Sequence, residues 1–230
     1  MGSIAGNFRA VLEKVEAAAK KAGRKPGSVR LVTVSKTVAV ELVREAVESG
    51  ARILGENRVQ EALSKMEAAA FSGLPAPEWH LIGTLQKNKA RQAVGVFSLI
   101  HSIDSIELAR EVGRQAAKKG IRQKVLIEVN VAGEATKHGI PPEEALAAAE
   151  EIALIPGLEL KGLMCIPPFT DDPEDSRPHF IRLRELLADI NKAGIPVSEL
   201  SMGMTQDYEV AAEEGATLVR VGTAIFGARG

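Results

Sequence analysis

Apolar residues recur along the chain in two alternating periods, and this alternation predicts helices and strands in turn. Between residues 4 and 23, apolar side chains fall at helical spacing, and Gly23 is typical of the end of a helix. The β-branched run at 29–35 predicts a strand, and helical spacing returns at 39–49. The chain therefore starts with one additional helix and then enters a repeating strand–helix pattern.

The strand–helix unit repeats along the whole sequence. The predicted strands are 29–35, 52–55, 79–83, 97–103, 124–131, 158–164, 199–202 and 216–221. The predicted helices are 4–23, 39–49, 57–72, 86–95, 105–119, 142–154, 176–193 and 207–214. Eight short strands that are apolar on both faces suit a parallel sheet covered by helices. We therefore predict a single domain over 1–230, a (β/α)8 TIM barrel with an extra N-terminal helix; a doubly wound open sheet is the alternative, because alternation alone does not prove closure.

Composition excludes several classes of protein. The 230 residues carry 29 Lys plus Arg and 30 Asp plus Glu, so the chain lacks the strongly basic footprint of a dedicated nucleic-acid binder. One cysteine, Cys165, excludes an internal disulfide framework and a cysteine-based structural zinc site, and its apolar setting indicates a packed thiol. No apolar run approaches the roughly 18 residues of a membrane span, and residues 1–30 lack a signal peptide. We therefore expect a cytoplasmic protein.

The strongest candidate for chemistry is Lys36. In a barrel of this type, reactive groups stand at the C-terminal ends of the strands. Lys36 follows the first strand directly and shares the face of Val32 and Val34, so it is expected to point into the barrel mouth. Partial desolvation there favours the neutral amine, which can form a Schiff base with a carbonyl compound. The alternative is a solvated lysine at a strand end.

The last two strands are followed by polar, glycine-containing loops. Arg220 lies near the end of the eighth strand, Gly222 and Thr223 come directly after it, and the segment 201–205 follows the seventh. Glycine allows close backbone approach, and backbone N–H groups with a threonine hydroxyl suit a phosphate dianion. Barrel enzymes frequently hold phosphate at these two loops. Together with Lys36, the pattern indicates a phosphorylated aldehyde as ligand.

Several motifs together carry a family resemblance over about residues 5–228. They are VSKT at 34–37, GEN at 55–57 with QE at 60–61, HLIGTLQKNK at 80–89, GLM at 162–164, SMGM at 201–204 and VRVGTAIFG at 219–227. With these motifs the chain resembles the pyridoxal phosphate homeostasis proteins, single-domain relatives of the alanine racemase barrel. One departure is Gln206, where an acidic residue is common in the family.

The resemblance implies pyridoxal 5′-phosphate (PLP) bound as an internal aldimine on Lys36. It implies that Ser201, Gly222 and Thr223 hold the phosphate and that Arg220 faces the pyridine nitrogen. The full set of implied cofactor-binding residues is Lys36, Asn57, Ile82, Met164, Ser201, Gly203, Arg220, Gly222 and Thr223. No metal is expected.

The implied site favours a carrier over an enzyme. A cationic Arg220 disfavours protonation of the pyridine nitrogen, which weakens the ring as an electron sink. Racemisation also needs an acid/base group on each face of the cofactor, and the racemase relatives supply the second group, a tyrosine, from an additional C-terminal domain. The chain's only tyrosine, Tyr208, lies in a predicted helix and matches no racemase position; we expect it on the helix surface or partly packed.

We therefore expect a PLP-homeostasis protein that buffers the cofactor and delivers it transiently to PLP-dependent apo-enzymes. A weak amino-acid racemase or lyase is the alternative, and a phosphosugar-binding barrel without cofactor is a third hypothesis. Neither nucleic acid nor membrane is expected as a partner. A monomer is expected, because the racemase dimer depends on the additional domain.

Other polar residues carry further predictions. Lys137 is a candidate for receiving the cofactor in transit, or a solvated loop lysine. His80 is expected to hydrogen-bond inside the barrel. His101 with Asp104 suggests acid/base work, although an N-cap at Asp104 or Ser105 explains the same residues.

Overall fold

The eight predicted strands form a closed parallel barrel in a computed structural model that describes residues 2–68, 71–134 and 138–227. The strands are β1 (Arg30–Val34), β2 (Ile53–Glu56), β3 (Glu78–Leu81), β4 (Leu99–Ile103), β5 (Gln123–Glu128), β6 (Leu158–Met164), β7 (Glu199–Ser201) and β8 (Leu218–Val221). Each strand pairs with the next in the chain, and β8 returns to pair with β1. This closure confirms the predicted TIM barrel and excludes the open sheet.

Helices follow the strands and surround the barrel. They are α1 (Ile4–Lys21), α2 (Val40–Glu48), α3 (Val59–Glu67), α4 (Ala90–Ala93), α5 (Ile106–Lys118), α6 (Ala145–Ala153), α7 (Arg177–Lys192), α8 (Tyr208–Glu213) and α9 (Thr223–Phe226). The additional N-terminal helix is confirmed as α1, which packs against α2, α8 and α9. Ser105 caps α5, because its hydroxyl accepts a hydrogen bond from the Leu108 N–H at 3.4 Å.

Three helical segments differ from the sequence prediction. The helix expected at 57–72 ends at Glu67, and the one expected at 86–95 is a 3₁₀ turn, Lys87–Lys89, followed by the single turn α4. The short helix α9 was not predicted. One turn of helix contains too few residues to show a hydrophobic period, so the pattern could not reveal α9.

The core has two layers separated by the barrel wall. Outward-facing residues of the strands pack against the helices, and inward-facing residues fill the barrel, because neighbouring side chains of a strand point to opposite faces. The inner cluster consists of Val32, Ile53, Ile82, Leu99, Leu126, Met164 and Leu218. Val34 packs against this cluster, so the first strand delivers the chain to the C-terminal mouth of the barrel at Lys36.

Candidate functional site

A cavity of about 690 Å³ lies at the C-terminal ends of the strands. Six of the residues predicted from the sequence line it: Lys36, Asn57, Ile82, Arg220, Gly222 and Thr223. They come from the ends of β1, β2, β3 and β8. The chain topology therefore gathers a lysine, an arginine and a glycine–threonine turn around one volume, as the strand-end rule requires.

Three other predicted residues do not line this cavity. Met164 is fully buried in the inner cluster of the barrel. Ser201 is fully buried, and its hydroxyl is engaged by other side chains. Gly203 has a φ of +87°, and a Cβ there would lie 2.4 Å from the Cβ of Ala211. All three residues are buried and lie outside the cavity lining, so their contact with a ligand stays a prediction.

Two further loops line the cavity: the loop after β6, which was not predicted from the sequence to bind ligand, and the loop after β7, which was. The loop after β6 contributes Ile166 and Phe169, of which Phe169 is 79% exposed, and the loop after β7 contributes Thr205 and Gln206. Thr205 brings a hydroxyl to the wall on the loop where Ser201 was expected to act. The loop after β6 also follows a strand end, so the rule that located Lys36 could have located it.

Arg220 lies at the base of the cavity and is held by two hydrogen bonds. Its guanidinium donates to Ser201 Oγ at 2.6 Å and to the Cys165 carbonyl oxygen at 2.9 Å, and the residue is 4% exposed. The Gly203 carbonyl accepts the Arg220 backbone N–H at 3.0 Å. Burial lowers the pKa of Arg220 from a value near 12.5. A guanidinium group nevertheless stays protonated at neutral pH, so the side chain remains cationic.

A chain of hydrogen bonds runs from Arg220 across the barrel interior. Arginine only donates, so Ser201 Oγ accepts from it and is free to donate to His101 Nδ1 at 2.8 Å. His101 Nε2 then carries the proton and donates to His80 Nδ1 at 3.0 Å. Burial lowers the pKa of His80 to about 3 and that of His101 well below 6.5, so both rings are neutral. The prediction that His80 hydrogen-bonds inside the barrel is confirmed.

The structure also tests other residues that the sequence singled out. His101 bonds to His80 and Ser201, and Asp104 lies 3.6 Å from His138 Nδ1, so the suggested His101–Asp104 pair is wrong. Lys137 lies outside the described residues. Cys165 is buried and burial raises its thiol pKa to about 12, as expected of a packed thiol.

Tyr208 is only 5% exposed and packs in the core between the barrel and the outer helices. The expectation that it lies on the helix surface, or only partly packed, is therefore wrong. The reason is that α8 is covered by α1, which the sequence pattern of α8 alone does not show. Tyr208 does not line the cavity.

A second cavity of about 580 Å³ shares Asn57 with the first. Arg58, Lys89 and His138 contribute to its walls, so basic side chains face this cavity. Within the described ranges, no group of three or more acidic, histidine or cysteine side chains could hold a metal ion. The helices in the same ranges include none with the length and apolar character to cross a bilayer.

The model of the alanine racemase N-terminal domain family matches residues 7–230. A pyridoxal phosphate homeostasis protein from Aquifex aeolicus is 47% identical over 220 residues, covering 95% of both chains. Another from Pseudomonas aeruginosa is 44% identical over 229 residues, covering 100% of this chain and 97% of the relative.

Two solved structures show the same barrel. PipY from Synechococcus elongatus, solved with PLP bound, has a TM-score of 0.80 at 36% identity, covering 93% of this chain and all of PipY. The alanine racemase of Clostridium difficile has a TM-score of 0.75 at 15% identity, covering 97% of this chain and 56% of the racemase, a likeness of fold alone. By its sequence relatives and its domain match, the chain belongs to the pyridoxal phosphate homeostasis protein family, within the wider group built on the alanine racemase N-terminal barrel.

Proposed function

We propose that this protein binds PLP reversibly, as a Schiff base on Lys36, and takes part in PLP homeostasis by buffering and delivering the cofactor. The observation that carries the proposal is that Lys36, Arg220 and the Gly222–Thr223 turn line one cavity. The proposal includes a monomeric, cytoplasmic protein with transient contacts to apo-enzymes. These last parts rest on the sequence expectations alone.

The residues present fit a phosphorylated pyridine aldehyde. The volume of about 690 Å³ is within the range of small-molecule sites. Val34 and Ile82 offer apolar wall to a planar ring. At Gly222 a Cβ would lie 3.0 Å from the Val34 carbonyl oxygen, so glycine keeps this turn tight against β1. The N–H groups and the Thr223 hydroxyl of that turn suit phosphate oxygens.

Lys36 and Arg220 have separate roles in this proposal. PLP supplies an aldehyde, which condenses with a primary amine to give a Schiff base and water, and hydrolysis reverses the reaction. Lys36 supplies that amine. Arg220 is fixed by Ser201 and Cys165 and remains cationic, so a pyridine nitrogen beside it stays unprotonated. The site therefore favours holding the cofactor over stabilising carbanions.

The relatives support the same conclusion. Proteins that match nearly the whole chain at 44–47% identity are named for pyridoxal phosphate homeostasis, and PipY has been solved with PLP bound. None of these names is an enzyme activity. The proposal transfers that role to this chain through the six predicted residues that line its cavity.

The test is Lys36→Ala, with Lys89→Ala as the control in a lysine outside the main cavity. We expect the wild type and Lys89→Ala, loaded with PLP, to absorb at about 420 nm, and Lys36→Ala to lose this band because no amine remains to condense. Borohydride reduction followed by peptide mapping should place the stable adduct on Lys36.

An unchanged band in Lys36→Ala, or an adduct on another lysine alone, would contradict the proposal. The same map tests the transit prediction for Lys137. An adduct on both lysines supports that prediction, and an adduct on Lys36 alone discards it.

A further inference from the structure

A buried cluster of charged side chains lies directly behind Lys36. Lys65 on α3 places its Nζ 2.7 Å from Glu56 Oε1 and 2.8 Å from Glu61 Oε1. The side chain of Lys65 is 9% exposed and that of Glu56 is fully buried, whereas Glu61 is 24% exposed. None of these three residues lines the cavity, and none was assigned a role from the sequence.

This cluster hydrogen-bonds to the backbone on both sides of Lys36. Lys65 Nζ donates to the Ser35 carbonyl oxygen at 2.5 Å, and Ser35 Oγ donates to Glu56 Oε1 at 2.7 Å. On the other side, the Thr37 N–H donates to Glu61 Oε1 at 2.5 Å. We call Glu56, Glu61 and Lys65 the β1 clamp, because all three hold the end of β1.

The clamp coincides with the strained point of the backbone. Thr37 has a φ of +61°, and among the described residues it is the one non-glycine residue with positive φ. This conformation is energetically unfavourable for a β-branched residue, and it persists only where surrounding contacts impose it. The Glu61 carboxylate supplies such a contact at the Thr37 N–H. Strain of this kind clusters at functional sites, which directs attention to the neighbouring Lys36.

Stability alone does not account for the clamp. Burial raises the pKa of Glu56 although Lys65 and Ser35 oppose it, so the buried carboxylate is an energetic cost. Glu56 Oε2 is buried without a hydrogen-bond partner. A buried ion pair is often no more stabilising than apolar residues of the same size, and its best-attested use is to fix one arrangement. The Lys65–Glu56 ion pair fixes the direction in which the chain leaves β1.

We propose that Glu61 and Lys65 are positioning residues, which hold Ser35 and Thr37 so that the Lys36 amine enters the cavity oriented for attack on the aldehyde. The inference rests on the proposed function, because it takes Lys36 to be the reacting amine. It adds that the rate of Schiff-base formation is set by two side chains outside the cavity.

The experiment compares Glu61→Ala, Glu61→Gln and a matched control, Glu48→Ala, which removes the partner of an exposed (i, i+4) pair with Arg44 on the neighbouring helix. We expect Glu61→Ala to form the 420 nm species about 10-fold more slowly, a misplacement effect. Glu61→Gln should recover most of the rate, because its amide oxygen still accepts the Thr37 N–H. Glu48→Ala should react as the wild type does.

Two further measurements separate positioning from damage to the pocket. Pyridoxine 5′-phosphate, which has an alcohol in place of the aldehyde, should bind Glu61→Ala and wild type alike. Amide hydrogen exchange at Thr37 in the cofactor-free protein should rise in Glu61→Ala and not in Glu48→Ala.

Equal loss of pyridoxine 5′-phosphate binding and of rate would overturn the inference in favour of a structural role. A wild-type rate in Glu61→Ala, or unchanged amide exchange at Thr37, would also overturn the inference. Neither result affects the proposed function, provided that Lys36 of the wild type is labelled. Absence of any Schiff base on Lys36 in the wild type would instead remove the proposed function, and the inference with it.

Discussion

At the scale of single residues, two histidines are kept neutral inside the barrel. Burial, together with the positive charges of Arg30 and Lys124, lowers the pKa of His80 to about 3. The pKa of His101 is lowered mainly by burial as well. An imidazole that is neutral in the folded protein takes up a proton on unfolding once the pH falls below about 6.5. These residues therefore make the folded state less stable as the pH falls.

We predict that replacing His80 by Gln reduces this acid sensitivity. Between pH 6.5 and 5, the unfolded chain gains a proton at His80 that the folded protein does not bind, which lowers the free energy of unfolding by about 2 kcal/mol. Gln does not titrate, and its amide can still accept the hydrogen bond from His101. Urea unfolding at a series of pH values should show a shallower fall in the variant.

The comparison is made on slopes, so a constant loss of stability in His80→Gln does not affect it. If wild type and variant lose stability in parallel from pH 6.5 to 5, His80 is not the neutral buried group described here. A circular dichroism spectrum at pH 7 establishes that both proteins are folded.

Residue roles at the site were predictable where position along a strand decides them. Lys36, Arg220 and Gly222 stand at strand ends, and the structure gives them cavity positions. The hydroxyl of Ser201 stands at a strand end too, but Arg220 and His101 engage it. Which neighbour captures a hydroxyl depends on strands far apart in sequence, so local pattern could not decide it.

At the scale of elements, β6 contains an irregularity that shapes the barrel. Its pairing with β5 shifts register between Val125 and Leu126, so that Leu126 pairs with Gly162. A Cβ at Gly162 would clash with the backbone of Glu199 on β7, because it would lie 1.9 Å from the Glu199 carbonyl oxygen. Glycine at this point allows β6 and β7 to approach closely while β6 bulges.

We predict that Gly162→Ala lowers the free energy of unfolding by about 3 kcal/mol, because the methyl group must push two backbones apart. The control is Gly194→Ala, where φ is +87° but no atom lies within 4 Å of the added Cβ. Backbone strain alone should cost the control about 1 kcal/mol. Denaturant unfolding of both variants measures the difference, and equal losses would show that the close approach at β7 has no energetic weight.

Helix positions followed from the sequence wherever a helix runs for several turns. The long helices α1, α5 and α7 were located to within about two residues, because three or more turns establish a hydrophobic period. The single-turn elements α4 and α9 carry no such period. They were misjudged or missed for that reason.

At the scale of the whole molecule, the cavity offers few groups for proton transfer. Among the described residues that line it, the ionisable side chains are Lys36, Asp207 and Arg220. Asp207 Oδ1 accepts the Met204 N–H at 2.7 Å, so this carboxylate holds the loop after β7. Tyr208 is packed in the core. Racemisation needs an acid/base group on each face of the substrate carbon, and Lys36 can serve one face.

We therefore predict that the PLP-loaded protein does not exchange the α-proton of L-alanine in deuterium oxide faster than free PLP does. Proton NMR of the amino acid measures the exchange directly. A turnover-level loss of the α-proton signal that disappears in Lys36→Ala would establish the alternative of a weak racemase or lyase.

The sequence by itself determined the alternation of strands and helices, the additional first helix and the strand ends at which Lys36 and Arg220 stand, because these depend on local periodicity and on residues next to one another. Only the tertiary structure decided that the sheet closes, since closure is a pairing of β1 with β8 across nearly the whole chain. It also decided that Ser201 bonds to Arg220 and that Glu61 and Lys65 grip the backbone around Lys36. Such contacts join residues from different strands and helices. Their partners depend on side-chain direction and burial, and no local sequence pattern contains this information.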